Sequence, residues 1–183
     1  MELATLTPEN LTFSTARFFV RPMTTKDFTY FHAMQTSEQL MTYVGELLND
    51  DDIRTKFDAR CGCFSEYQQW FTLLVFELDT QAFVGSIGFH LADLHSYRVE
   101  VGFVVMPNAQ GKGVTTEVAQ PLLDFIFLKL NAKKVIALCS TDNISSQRVL
   151  DKLGMRQEGL LRADFRIGNS WQDSYTYGLV NPY

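Results

Sequence analysis

The chain has 183 residues, 46% hydrophobic and 20% charged, with fifteen Phe. That is enough for one well-buried core and short for two, so residues 1–183 are expected to form a single domain. The net charge of −5 excludes nucleic acid as a main partner, because binding it needs a basic face.

The first residues, "MELATLTPENLTF", hold neither a basic stretch nor an apolar core, so no secretory signal is expected. The segment "ARFFVRPMTTKDF" reads as a strand over 18–21, stopped by Pro22. A helix follows from about Thr25, capped by Thr24 or Thr25, with Asp27 in its first turn where a carboxylate suits the dipole. A polar, helix-leaning segment runs over 37–67 and ends in the loop "ARCGCFSEY". Three strands come next. The run "WFTLLVFEL" (70–78) is apolar throughout, as in a strand buried on both faces. A second strand covers 82–91. The third, "YRVEVGFVV" (97–105), alternates, with Val99, Val101, Phe103 and Val105 on one face and Glu100, Gly102 and Val104 on the other.

A helix is expected over 114–130, with Val118, Leu122, Phe125, Ile126 and Leu130 at helical spacing. Pro121 inside it removes one backbone bond and predicts a kink there, or a helix that regularises only afterwards. A strand over 133–140 follows. The helix in "DNISSQRVLDKLGM" starts at a cap supplied by Asp142 or Asn143. It ends with Gly154 in the left-handed position and Met155 packing back. A hairpin through "GNS" closes the chain. This order predicts an α+β domain around one mixed, mostly antiparallel sheet flanked by helices.

Cys61, Cys63 and Cys139 make an odd count, which fits free thiols in a reducing, cytoplasmic setting. No second Cys or His pair matches "CGC", and His32, His90 and His95 are scattered, so no metal site is expected. Apolar runs such as "LLDFIFLKL" are too short to span a bilayer, so no membrane partner is expected.

The stretch "MPNAQGKGVTTE" (106–117) joins the third strand of that series to a helix through two glycines. It fails the nucleotide-triphosphate loop, because Met106 and Gly113 stand where a glycine and a hydroxyl are needed. It fails the dinucleotide fingerprint, because Thr116 stands where the third glycine belongs. Gly111 and Gly113 still permit backbone angles other residues avoid. The helix has no obvious side-chain cap, which leaves its first amides free for an anion. The alternative is a plain loop capped by water or Asn108.

Taken together, "VEVGFVV", "MPNAQGKGVTTEV", "KKVIALC", "DNISSQRVLDKLGM", "EGLLR" and "GNSWQD" in this order resemble the GCN5-related N-acetyltransferase (GNAT) superfamily. Within it, the resemblance is to the RimJ/RimL-type ribosomal-protein N-terminal acetyltransferases. It covers most of the chain from "ARFFVRPMTTKDF" onward and is strongest over 100–173. It implies an enzyme that moves the acetyl group of acetyl-CoA to a primary amine, either a protein N-terminal α-amine or a small molecule, as a monomer or homodimer and without a metal. The family's loop [QR]-x-x-G-x-[GA] falls here on Gln110, Gly111, Lys112, Gly113, Val114 and Thr115, with Thr115 departing from the family's Gly or Ala. The resemblance implies that this loop cradles the pyrophosphate and that Phe103, Val104 and Val105 offer backbone groups to the pantetheine arm. It also implies that Asn143 reaches a pantetheine amide and that Ser146 lies near the thioester sulfur.

For the chemistry, Glu100 is the candidate base, with a salt bridge to Arg98 as its structural alternative; Asp164 and Asp173 are weaker candidates, and Asp173 suits a hairpin anchor. Ser146 is the candidate acid toward the thiolate, with helix N-terminal bonding as its alternative. Tyr175 and Tyr177 read as packing, Lys112 as a solvent-facing charge and Cys139 as core, so direct attack in a ternary complex is expected. The segment 45–67 should cover the acceptor side, where "NDDD" either draws a cationic amine or simply begins a helix. The rival class is a non-catalytic acyl-CoA-binding sensor or an interaction module on the same fold.

Overall fold

The computed structural model describes residues 1–61 and 70–183. Strands β1 (Phe13–Ser14) and β2 (Phe18–Pro22) lead to helices α1 (Phe28–Gln35), α2 (Glu38–Met41) and α3 (Asp50–Arg60). Strands β3 (Phe71–Glu77), β4 (Phe83–Asp93) and β5 (Arg98–Val105) follow, then α4 (Val114–Asp124), β6 (Lys134–Ser140), α5 (Ile144–Lys152) and the hairpin β7 (Arg156–Ile167) and β8 (Ser170–Val180). All eight strands form one sheet in the order β1-β2-β3-β4-β5-β6-β8-β7. Only β5 and β6 run parallel. This is the expected mixed, mostly antiparallel sheet with helices on its faces.

The sheet separates two apolar layers. On one face, Val118 and Leu122 of α4, Ile126 just beyond it and Leu150 of α5 pack over Val75, Val99 and Val101. On the other, Phe31, Ile53 and Phe57 pack over Leu74 and Phe76, with Val104 against them. The alternation along β5 therefore sends its odd-numbered valines toward α4 and its even-numbered positions toward α1–α3. Strand β3 is buried at every position before Glu77, as a strand covered on both faces must be.

Several local expectations change. Strand β1 was not expected, because two residues carry no periodicity. It exists because Phe13 and Ser14 pair with Val20 and Phe19. Over its described part, 37–61, the helix-leaning segment holds the two helices α2 and α3. Leu40 and Met41 anchor the first and Ile53 and Phe57 the second. Of the loop expected over 59–67, Ala59 and Arg60 belong instead to the last turn of α3, Cys61 follows it, and 62–67 lie outside the described residues. Around Pro121, α4 stays α-helical to Asp124 and then widens to a π-turn over Phe125–Lys129, where the Leu130 N–H reaches the Phe125 carbonyl at 3.0 Å. The irregularity follows the proline instead of preceding it.

Thr24 and Thr25 do not cap α1. Asp27 stands immediately before the helix, and its carboxylate turns back to Arg21 at 2.7 and 2.8 Å and to the Thr24 N–H and Oγ1 at 2.7 Å. Burial pushes the Asp27 pKa up, but the hydrogen bonds from Arg21 and Thr24 outweigh it and hold the value below the ordinary one. The contribution to stability is therefore present above the unfolded carboxylate pKa and lost as pH falls through the folded one. Asp27→Ala leaves Arg21 without its partner in a largely buried place and should cost about 3 kcal/mol. A urea midpoint that moves by less than a third of that amount would show the pair to be incidental.

The last helix behaves as its sequence predicts. Asn143 caps it through Oδ1 to the Ser146 N–H at 3.0 Å. Gly154 at φ +79° ends it, with Met155 N–H to Leu150 O at 3.1 Å and Gly154 N–H to Asp151 O at 3.0 Å.

Candidate active site

Strands β5 and β6 pair for only three residues, Arg98 with Lys134, Val99 with Val135 and Glu100 with Ile136. Beyond Glu100 each strand stays with its outer neighbour. Strand β5 pairs with β4 as far as Val105 opposite Gly85, and β6 pairs with β8 as far as Ser140 opposite Ser174. The sheet forks between them, and the fork leaves two strand edges without a ladder partner. A cavity of about 420 Å³ opens there, lined among others by Glu100, Phe103, Val104, Cys139 and Asp164. An extended amide chain laid into such a fork can pair with the backbone as an added strand would.

At the far end of β5 the chain turns through a short 3-10 segment, Pro107–Ala109, into the glycine loop. Gly111 and Gly113 have φ of +74° and +77°, the left-handed region that favours glycine. Gly113 occupies the cap position of α4 and, among the described residues, no side chain bonds the first amides of that helix, so Asn108 does not cap it. Three N–H groups, of Val114, Thr115 and Thr116, are thus presented at the positive end of a helix before the first intrahelical bond, from the Glu117 N–H to the Gly113 carbonyl at 3.1 Å. This fits a paired phosphate. The Thr115 side chain is buried, with Gly85, Val104 and Val118 nearby, so the loop's donors toward an anion are its backbone amides. Lys112 is exposed. Gln110 is tied back to β5 by its Nε2 donating to the Val105 carbonyl at 3.0 Å.

Arg17, which the sequence reading passed over, holds the loop from outside. Its Nη2 donates to the Lys112 carbonyl at 3.0 Å, and its Nε meets Glu117 Oε2 at 2.8 Å. Glu117 also accepts from Thr15 Oγ1 and the Arg17 N–H. Arg17→Ala should weaken coenzyme binding severalfold and lower stability by no more than about 1 kcal/mol, since the pair is half-exposed. Unchanged affinity in a titration would show that the loop keeps its shape unaided.

Glu100 lies on the last rung of the fork, on the face toward α1–α3. Its register partner on β4 is His90, and Nδ1 of that ring stands 3.7 Å from Glu100 Oε2, too far for a direct hydrogen bond. His90 Nδ1 is buried without a hydrogen-bond partner among the described residues. Trp70 stacks on the same ring at 5.1 Å. Burial raises the Glu100 pKa above its ordinary value, the Asp164 carboxylate adds to that, and Arg98 pulls it partly back. Burial lowers the pKa of His90. No ion pair joins Glu100 to Arg98 among the described residues.

Residues 17–156 match the family model described as Acetyltransferase (GNAT) domain. This chain belongs to the GNAT acetyltransferase family. It is similar to the N-acetyltransferase YnaD of Bacillus subtilis (strain 168), 31% identical over 169 residues that cover 91% of this chain and 95% of that one. Among solved structures it is similar to a GNAT-family acetyltransferase from Bacillus anthracis, with a TM-score of 0.79 at 26% identity over 94% of this chain and 99% of that one. It shares its fold with the spermidine N-acetyltransferase from Vibrio cholerae in complex with CoA and spermine, with a TM-score of 0.78 at 18% identity over 90% and 95%.

The chain is therefore an N-acetyltransferase on the GNAT fold. The other named residues fall into place unevenly around its fork. Glu100, Phe103 and Val104 line the cavity together. Ser146 sits half-buried on α5, with its N–H bonded to Asn143 Oδ1, while the Cys139 Sγ donates to the Ser140 and Asn143 carbonyls at 3.4 and 3.6 Å. Burial raises the Cys139 thiol, with Ser146 and the Gln147 backbone pulling it partly back. Asn143 uses Oδ1 for its cap, which leaves its Nδ2 as donor. Asp173 accepts from the Ala163 N–H at 2.8 Å and so anchors the hairpin, as expected. Tyr177 is buried at 3% exposure and packs in the core.

Of the two readings of "NDDD", the structure bears out the helix start. Asp50, Asp51 and Asp52 form the first turn of α3, capped by Asn49, and all three are exposed and absent from the cavity wall. The wall is completed instead by Lys56 and Arg60 from the last turns of α3, and by Trp70. These, with His90 and Arg17, are the residues that sequence reasoning missed. None carries a motif, and only strand register and helix packing bring them to the fork. For α3, the i, i+4 spacing of Ile53 and Phe57 was the available signal, because it fixes which face turns inward. No described helix is long and apolar enough to cross a membrane.

Proposed function

We propose that this acetyltransferase moves the acetyl group of acetyl-CoA to a primary amine by direct attack in a ternary complex, with Glu100 as the base. Acetyl-CoA, when bound, supplies the acetyl group as an activated thioester. The loop at Gln110, Gly111, Lys112, Gly113, Val114 and Thr115 holds the paired phosphates through backbone N–H groups. The free edge at Phe103, Val104 and Val105 and the Asn143 amide hold the pantetheine arm, and Ser146 stands by the departing sulfur. In balance, the C–N bond forms as the C–S bond breaks, the amine gives up one proton and the thiol leaves with one.

The observation that carries the reading is the position of Glu100. It is a largely buried carboxylate on the last paired rung of an open fork, beside an unpartnered imidazole nitrogen. An α-amine of pKa near 7.7–8.0 is only about a tenth neutral at pH 7, so a nearby base has work to do. A carboxylate whose pKa lies above the ordinary value is better matched to that proton than a solvated one.

Thiol release from acetyl-CoA over a panel of peptides and small amines, with mass spectrometry of the product, tests this. Amine-dependent release and one acetyl group on the acceptor nitrogen are expected. Binding of acetyl-CoA without release for any amine would overturn it.

A further inference from the structure

We propose that the acceptor is a small amine carrying a carboxylate, an amino acid in chemical class, with Arg60 and Lys56 receiving the carboxylate while Glu100 faces the amine. This rests on the transfer reading above. Lys56 and Arg60 stand one turn apart on α3 and both line the fork cavity. Neither has a carboxylate within ion-pair distance among the described residues. Lys56 Nζ donates to the neutral Gln35 Oε1 at 2.9 Å. The Arg60 guanidinium lies over the rings of Phe31 and Trp70, each at 5.9 Å. Burial disfavours the charge of both, and for Lys56 the neighbouring Arg60 adds to that.

Two half-buried cations with no anion beside them among the described residues are a costly arrangement that a ligand's carboxylate would relieve. A guanidinium matches a carboxylate in a two-pronged bond, and a lysine adds a point charge. The same cavity also carries the opposite sign, with Glu100 on β5 and Asp164 on β7. Trp70 lies between, touching Arg60 on one side and His90 on the other. The cavity is thus polar in a sense that suits a zwitterion, and its two cations oppose a polyamine. Transfer onto such an acceptor forms the amide C–N bond and breaks the thioester C–S bond, and yields an N-acetylated amino acid and free thiol, with the amine's proton passed on as before.

Calorimetric titration of the protein saturated with CoA tests this without turnover. The probes are glycine, leucine and phenylalanine, each against its carboxamide, together with spermidine. At least one acid should bind tighter than its amide by about tenfold or more, equivalent to about 1.4 kcal/mol. Arg60→Gln should bring the two members of that pair together, and Lys56→Gln should narrow the gap. If Arg60→Gln fails to fold by circular dichroism, the wild-type pairs and Lys56→Gln still decide. Amides or spermidine binding as well as the acids, or no probe binding, overturns the proposal. Failure to bind CoA at all would instead remove the transfer reading beneath it.

Discussion

Glu100→Gln should lower kcat/KM by about 100-fold or more, the usual weight of a general base, while raising Tm at neutral pH. Both effects have one cause. Burial raises the folded pKa of Glu100, so between its unfolded and folded values the native state holds more protons than the unfolded state. Stability then falls as pH rises through that window, and at neutral pH the buried charge is a burden that glutamine lacks. The gain in Tm should vanish below the unfolded carboxylate pKa. The wild-type to variant rate ratio should be largest above the folded pKa of Glu100 and shrink below it, where the wild-type carboxyl is already protonated. A calorimetric Tm series and a pH–rate profile measure the two arms. A variant that is slower but no more stable would mean Glu100 is a positioning group held by its neighbours, and one with an unchanged profile is not missing its base.

Gly113→Val should weaken acetyl-CoA binding by about 100-fold, equal to about 2.7 kcal/mol, with the fold retained. The residue sits at φ +77° at the start of α4. A branched side chain there leaves the left-handed region and takes the first helical amides with it. Two or three hydrogen bonds to a charged phosphate, each worth about 1.5–3 kcal/mol, are enough for that loss. Space is not the reason, since a Cβ at Gly113 would meet only Arg17 Nη2 at 3.5 Å, an ordinary contact. Gly111→Ala is the matched comparison, because its Cβ would meet nothing within 4 Å, so only its φ of +74° opposes it. Titration with acetyl-CoA reads both. Wild-type affinity in Gly113→Val would mean the phosphates lie elsewhere.

Much of the molecule was legible from residues alone. Gly111 and Gly113 announced left-handed angles because no other residue accepts them easily. Asn143, Gly154 and Met155 announced the start and end of α5, since caps and stop signals act within a few residues. The alternation along β5 placed Glu100 opposite the Val99 and Val101 row before any neighbour was known. Asp27 misled for an instructive reason. A carboxylate near a helix start suits the dipole, but Arg21, on the adjoining strand, competes more strongly at 2.7 Å. The aspartates at 50–52 left two readings open, and the structure bears out the helix start, with the three carboxylates outside the cavity wall.

The sequence by itself determined the strand and helix order, the glycine loop and the carboxylate on the strand before it, because periodicity, caps and backbone freedom are properties of short segments. Only the tertiary structure decided that β5 and β6 part after Glu100, that His90 faces that carboxylate across the sheet, and that Lys56 and Arg60 line the cavity. Register and helix docking arise from the packing of distant side chains, such as Phe57 with Phe31 and the cluster that meets Leu74 and Phe76, and no local pattern in the chain encodes which far segment will be met.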